Sequence, residues 1–166
     1  RSVEVDRAVP GDIAAVAKVD EMHYDAVLHD AAEDDHIHLM PLNLPVPVHG
    51  LAIEPDGTIL AGSVVGQAIY AVNPATGEVT TRLGPPDGMA DDIAFGPDGV
   101  MAWTGYLTGK VFVQEKGGQP KMVSSGLPGS NSLAFTKDGK LYFTQVFLGD
   151  ALYEADWKGT GGARLI

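Results

Sequence analysis

Three polar residues stand at one shared place in three copies of a short pattern: His49, Asp91 and Asn131. An imidazole can move a proton near neutral pH, while a carboxylate and an amide supply oxygen donors. Each residue directly precedes a related octet: Gly50-Leu-Ala-Ile-Glu-Pro-Asp-Gly57, Asp92-Ile-Ala-Phe-Gly-Pro-Asp-Gly99 and Ser132-Leu-Ala-Phe-Thr-Lys-Asp-Gly139. A fold that turns this repeat into proximity around one axis gathers the three at its centre; the plainer reading has them lining a water-filled channel. Asp92 adjoins Asp91, and successive strand residues face opposite ways. Register with Asn131 favours Asp91 as the inward residue, leaving Asp92 to cap a turn or support a neighbour. His49 and Asp92 are the candidates for proton transfer or for activating water.

Other residues compete for attention. His36-x-His38 puts two imidazoles on one side of a strand, with His29, Asp30, Asp34 and Asp35 nearby. That set suits zinc or another transition metal, or is simply an acidic solvated loop. Tyr106 and Phe147 fall where second strands turn into third strands, at the far end of a blade from the Asp-Gly turns; with Trp103 and Tyr142 they shape a pocket or pack between blades. Serine-hydrolase elbow, phosphate-loop and dinucleotide fingerprints are missing from the sequence. The chain has no Cys, which rules out disulfides, thiolate metal sites and a Cys nucleophile.

The elements that must position these residues follow from the repeat. The Asp-Gly pairs at 56–57, 98–99 and 138–139 recur at the spacing of one four-stranded propeller blade. Leu51-Ala52-Ile53, Ile93-Ala94-Phe95 and Leu133-Ala134-Phe135 read as inner strands, and each Asp-Gly supplies the positive φ of a tight hairpin. Second strands are expected at 58–63, 100–104 and 140–144, third strands at 68–72, 110–114 and 151–155, and outer strands at 78–83, 119–124 and 163–166. The expected fold is therefore all-β: three four-stranded propeller blades (48–86, 87–129 and 130–166). An antiparallel sandwich with coincidental hairpins is the competing architecture. Residues 1–47 do not repeat. Asp12 and the spacing of Ile13, Val16, Val19 and Met22 predict a helix over 12–29, and Pro41, Pro45 and Pro47 an extended linker.

Composition agrees: 45% hydrophobic and 20% charged residues are globular values, and 21 Gly with 11 Pro suit many turns. A net charge of −11 disfavours binding to nucleic acid or to an anionic membrane surface and is compatible with divalent cations. No apolar run reaches the length of a membrane span, and the expectation is a soluble protein, cytoplasmic or periplasmic.

The Pro-Asp-Gly blade motif, Ile69-Tyr-Ala-Val-Asn-Pro-Ala-Thr-Gly77 and Gly129-Ser-Asn-Ser-Leu-Ala-Phe135 together resemble the senescence-marker/gluconolactonase group of six-bladed propellers. Strictosidine-synthase-like and streptogramin-lyase-like propellers share much of this pattern. The resemblance implies a divalent cation, often calcium, in the central channel. Asn131 is similar to that group's metal-binding Asn, and Asp91 to the first residue of its Asn-Asp pair; both are the implied metal ligands. His49 departs from an all-oxygen calcium pattern, which opens a proton-transfer role, a softer ion such as zinc or manganese, or no ion at all. The implied activity is metal-dependent hydrolysis of a lactone or related ester. A lyase or isomerase working through a metal-steadied enolate, and a non-enzymatic binding module, are the alternatives. Three blades leave two apolar faces open, so a six-bladed ring is expected to be completed by another chain, identical or different.

Overall fold

The computed structural model describes residues 44–166. The helix expected over 12–29 and the His36-x-His38 pair lie outside the described residues. Four antiparallel strands form the first sheet: β1 Leu51–Ile53, β2 Ile59–Ser63, β3 Ala68–Val72 and β4 Val79–Leu83. The second holds β5 Asp92–Phe95, β6 Met101–Gly105, β7 Lys110–Gln114 and β8 Lys121–Ser124. The third holds β9 Ser130–Phe135, β10 Leu141–Gln145, β11 Ala151–Ala155 and β12 Ala163–Leu165. Each sheet is a meander whose strands pair in chain order. With the similarities reported below, this is an all-β propeller fragment of three blades.

Third strands fall where the repeat predicts them, while the second strands begin one residue later than expected. The hairpin turns rest on glycine at positive φ, with Gly57 at 92°, Gly99 at 75° and Gly139 at 81°. In blade 2 the turn tightens into a single 3₁₀ turn, Pro97–Gly99, and Asp98 joins Gly99 in the left-handed region at φ 59°. Asp and Asn tolerate that region better than most residues.

Why the blades stack is legible in two cross-strand rows. Facing the preceding blade, blade 2 aligns Ile93, Trp103 and Phe112, and blade 3 aligns Leu133, Phe143 and Tyr153. In both rows the aromatic rings stack, with centroids 5.2 Å and 5.3 Å apart. Facing the following blade are small and aliphatic side chains: Leu60, Ile69 and Ala71 in blade 1, and Ala102, Val111 and Val113 in blade 2. Large rings on one face therefore meet short side chains on the next, the complementarity that close packing between sheets requires.

The outward faces at the two ends of the stack differ from these interfaces. Blade 1 has Ala61 where the others carry Trp103 and Phe143, and Leu44, Val46 and Val48 pack against Ala61 and Tyr70. The proline-rich stretch thus docks on a blade along residues 44–48 instead of running free as a linker. Ser63 Oγ fixes it by donating to Pro47 O at 2.6 Å. Leu51 and Ile53 are nonetheless 63% and 68% exposed, where Ile93, the counterpart of Leu51, is 4% exposed. At the other end Glu154 replaces Val113, accepts from Tyr142 Oη at 3.3 Å and pairs with Arg164 at 2.7 Å.

Trp103 is fully buried between blades 1 and 2, and its Nε1 donates to Asp87 O at 2.7 Å. Trp103→Ala will lower unfolding free energy by about 3–5 kcal/mol, through lost packing and an orphaned carbonyl. Urea denaturation of the two proteins checks this.

Candidate functional site

The inner strands β1, β5 and β9 lie side by side, and the trio falls at or just before their starts: His49 two residues before β1, Asp91 one before β5, and Asn131 second in β9. The backbone repeats one anchoring bond: His49 N donates to Gly62 O and Asp91 N to Thr104 O, both at 2.8 Å. Thr104 is fully buried, and its Oγ1 also accepts from Asp92 N at 3.2 Å. The Asp91-Asp92 backbone is thereby pinned to the second strand of its own blade.

Gly50 sets how near blade 1 can come. A Cβ there would lie 2.5 Å from Asp91 O and 2.7 Å from Asp92 Cα. Any side chain would push β1 away from β5 and separate His49 from Asp91. With glycine in place, the His49 imidazole comes close enough to Asp91 for their charges to interact. His49 is exposed, and its Nδ1 is 3.5 Å from Val64 N, a long contact that leaves the ring available.

Blades 2 and 3 are joined by two bonds at the axis. Asn131 Nδ2 donates to Asp91 Oδ2 at 2.7 Å, a charge-assisted bond across 40 residues of sequence. Asp92 turns away and is occupied by backbone: its Oδ1 accepts from Ile93 N at 3.0 Å, and its Oδ2 from Leu133 N at 2.9 Å. Asp91 is thus the residue that meets Asn131 and His49, and Asp92 braces strand β9 against β5. Ser132 Oγ donates to Asn131 Oδ1 at 3.1 Å. Desolvation pushes the Asp91 carboxyl above its ordinary range; His49 pulls it back, and Asp92 adds a smaller upward push.

The donor set suits a hard divalent cation in kind, since Asp91 and Asn131 present oxygens from adjacent blades. It is small in number. Among the described residues no group of three His, Cys, Asp or Glu is placed to hold an ion, whereas calcium takes six to eight oxygens as a rule.

The repeat register groups His49, Asp91 and Asn131, and the structure shows Asn131 bonded to Asp91; Gly50 and Thr104 were not singled out from the sequence. Both were findable. Gly50 occupies the position of Asp92 and Ser132, and Thr104 shares its place with Gly62 and Thr144, five residues after each turn glycine.

No family model and no curated protein matches the chain. Solved structures of similar fold are propeller proteins. Virginiamycin B lyase from Staphylococcus aureus is 17% identical, with a TM-score of 0.61 over 74% of this chain and 42% of that one. A structure provisionally named a gluconolactonase is 18% identical, with a TM-score of 0.57 over 70% and 47%. Regucalcin from Agrobacterium tumefaciens, described as a calcium-binding protein, is 17% identical, with a TM-score of 0.51 over 71% and 42%. At these identities the likeness is one of fold, and the chain spans less than half the length of each. Among the described residues no helix is long and apolar enough to cross a membrane.

Two outcomes follow from the carboxylates. Asp92→Ala orphans the Leu133 and Ile93 amides and will cost about 1–3 kcal/mol, while Asp92→Asn, which keeps one acceptor, will recover part of that loss. Denaturant midpoints of the three proteins decide it. For Asp91, a folded pKa above the unfolded one means the folded chain holds the proton more tightly. The ionised form therefore weakens folding above the raised value, and the penalty fades as pH falls through it. In chelator-treated protein Asp91→Asn will be the more stable form near neutrality, and the advantage will shrink by about pH 4.

Proposed function

We propose that this chain contributes to a metal-dependent hydrolase acting on a lactone or related ester at the propeller axis. The observation that carries the reading is the meeting of His49, Asp91 and Asn131 from three successive blades, joined by the 2.7 Å bond from Asn131 to Asp91. Asp91 and Asn131 would hold the cation through their oxygens, with water and further blades filling the remaining positions. Such an ion, when bound, polarises a carbonyl and stabilises developing negative charge. The exposed His49 imidazole takes a proton from water or returns it to the leaving oxygen. Asp92 acts as a positioning residue, since its two backbone bonds fix the start of β9 and so the place of Asn131. The similarity of fold to a calcium-binding propeller and to one named a gluconolactonase supports this reading.

Elimination on the same residues is the second reading, supported by the similarity of fold to a lyase. There His49 would remove a proton beside the carbonyl. A binding module without catalysis is the third; in it His49→Ala and Asp91→Ala leave ligand affinity untouched. The reading also includes a second chain that completes a six-bladed ring, covering Leu51 and Ile53 at one end and Leu152 at the other. Native mass measurement distinguishes a second copy from a different polypeptide, and a monomer of these blades alone would refute a second chain.

Lactone turnover in isotopically labelled water separates the first two readings. Hydrolysis places solvent oxygen in the acid product, and elimination does not. We expect label in the product, loss of turnover by about 100-fold or more in His49→Ala, and stoichiometric metal removed by chelator together with activity. Full activity in metal-free protein would overturn the metal-dependent reading.

A further inference from the structure

The exposed large hydrophobic side chains sort into groups. Leu51 and Ile53 lie on the leading face of the stack, and Leu152, Leu165 and Ile166 belong to the closing strands of blade 3, where another blade would cover them. Met122 is on an outer strand. What remains is Val65, Leu107, Phe147 and Leu148, which are 67%, 64%, 87% and 75% exposed. All four sit in the turns between second and third strands, with at least one in every blade. Covering the end faces of the stack does not account for these turn tips.

The two ends of the blades therefore differ. First strands run away from the axial cluster and second strands return, so the turns at Val65, Leu107 and Phe147 lie at the same end as His49, Asp91 and Asn131. Contacts agree: His49 Nδ1 faces Val64 N, and Gly129 N, just before Asn131, donates to Tyr106 O at 2.8 Å. The opposite end carries the polar turns Asp56-Gly57, Asp98-Gly99 and Asp138-Gly139. Exposed tight turns ordinarily select Gly, Asn, Asp or Ser. Here one end follows that rule throughout, and at the other each turn keeps one glycine (Gly66, Gly109 and Gly149) but sets Val, Leu and Phe beside it in successive blades.

Phe147 adds a second, independent sign. It holds φ at 67°, a region costly for a bulky aromatic, while its ring stays largely in water. Its single ring contact is edge-on to Tyr106 of blade 2, with centroids 6.2 Å apart. Strain without compensating burial is the kind found where a side chain is presented to something else.

We propose that these turn tips form an apolar rim that receives the non-polar part of an amphiphilic ligand whose polar group sits at the axial cluster. This rests on the hydrolase reading of that cluster and narrows its substrate class. The ring ester would carry an aliphatic or aromatic substituent instead of the hydroxyl groups of a sugar lactone. Continuity between rim and cluster favours a small amphiphile over a lipid surface, which the net charge of −11 also disfavours when the lipid is anionic.

The test uses the full chain in its native assembly. Two probe series are titrated by calorimetry: γ-butyrolactone through γ-decalactone, and straight-chain alcohols from butanol to octanol, with glucono-δ-lactone as the polar comparison. We expect affinity to rise about two- to fourfold per added methylene in both series, and the slope to flatten in Leu107→Ser and Phe147→Ser. Both variants change exposed tips, and circular dichroism checks that they fold. Alcohols that bind with this slope while no lactone is hydrolysed would uphold the rim and sink the hydrolase reading. Lactones hydrolysed with no dependence on chain length, or glucono-δ-lactone bound as tightly as γ-decalactone, would overturn the rim alone. Binding to phosphatidylcholine vesicles that is lost in the serine variants, without any chain-length slope for free ligands, would overturn it in favour of a membrane patch.

Discussion

A four-stranded blade has two apolar faces and no means of burying either by itself. Everything else in this chain answers to that constraint. Trp103 and Phe143 are large because the blades before them offer Leu60, Ile69, Ala102 and Val111, which are small enough to leave room. The hydrophobic term is non-directional, so it draws the blades together without choosing their order around an axis. Order comes from the axial hydrogen bonds: Asp92 to the Leu133 amide, Asn131 to Asp91, and the glycine contact that lets β1 meet β5.

Those bonds place charge where packing alone would exclude it. Stacking takes Asp91 partly out of water, and its carboxyl rises above the ordinary range as a result, with a smaller push from adjacent Asp92. The arrangement is tolerable because Asn131 donates to one oxygen and His49 supplies a neighbouring base. A group held this way responds strongly to added positive charge, whether a proton or a cation, so one geometry serves both acid–base and metal chemistry. Asp92, although adjacent in sequence, carries no such tension, because two backbone amides satisfy its carboxylate. The pleat separates the two residues into a reactive one and a structural one.

The repeat made most of this readable. Hairpin glycines, third strands and the shared register of His49, Asp91 and Asn131 came directly from spacing, because a fixed period forces equivalent residues into equivalent places. Strand ends were less legible: the second strands start a residue late, since the turn residues use the first position. The docking of residues 44–48 on blade 1 is not legible in the sequence, because prolines signal extended backbone but say nothing of what it lies against. The exchange of Val113 for Glu154 on the last blade's outward face was visible in the sequence, yet its meaning depends on Arg164 and Tyr142 being near it in space. The brace from Asp92 to Leu133 joins residues 41 apart and has no local signature at all.

The account stands on neighbouring blades meeting at an axis through residues far apart in the chain. A double-mutant cycle on Asp91→Ala and Asn131→Ala, measured by denaturant unfolding in metal-free protein, reads that meeting directly. Two groups in contact through a charge-assisted bond should be coupled by about 0.5–3 kcal/mol. Simple additivity of the two losses would mean that the inner strands do not bring these side chains together, and the stacked arrangement of the site would be wrong.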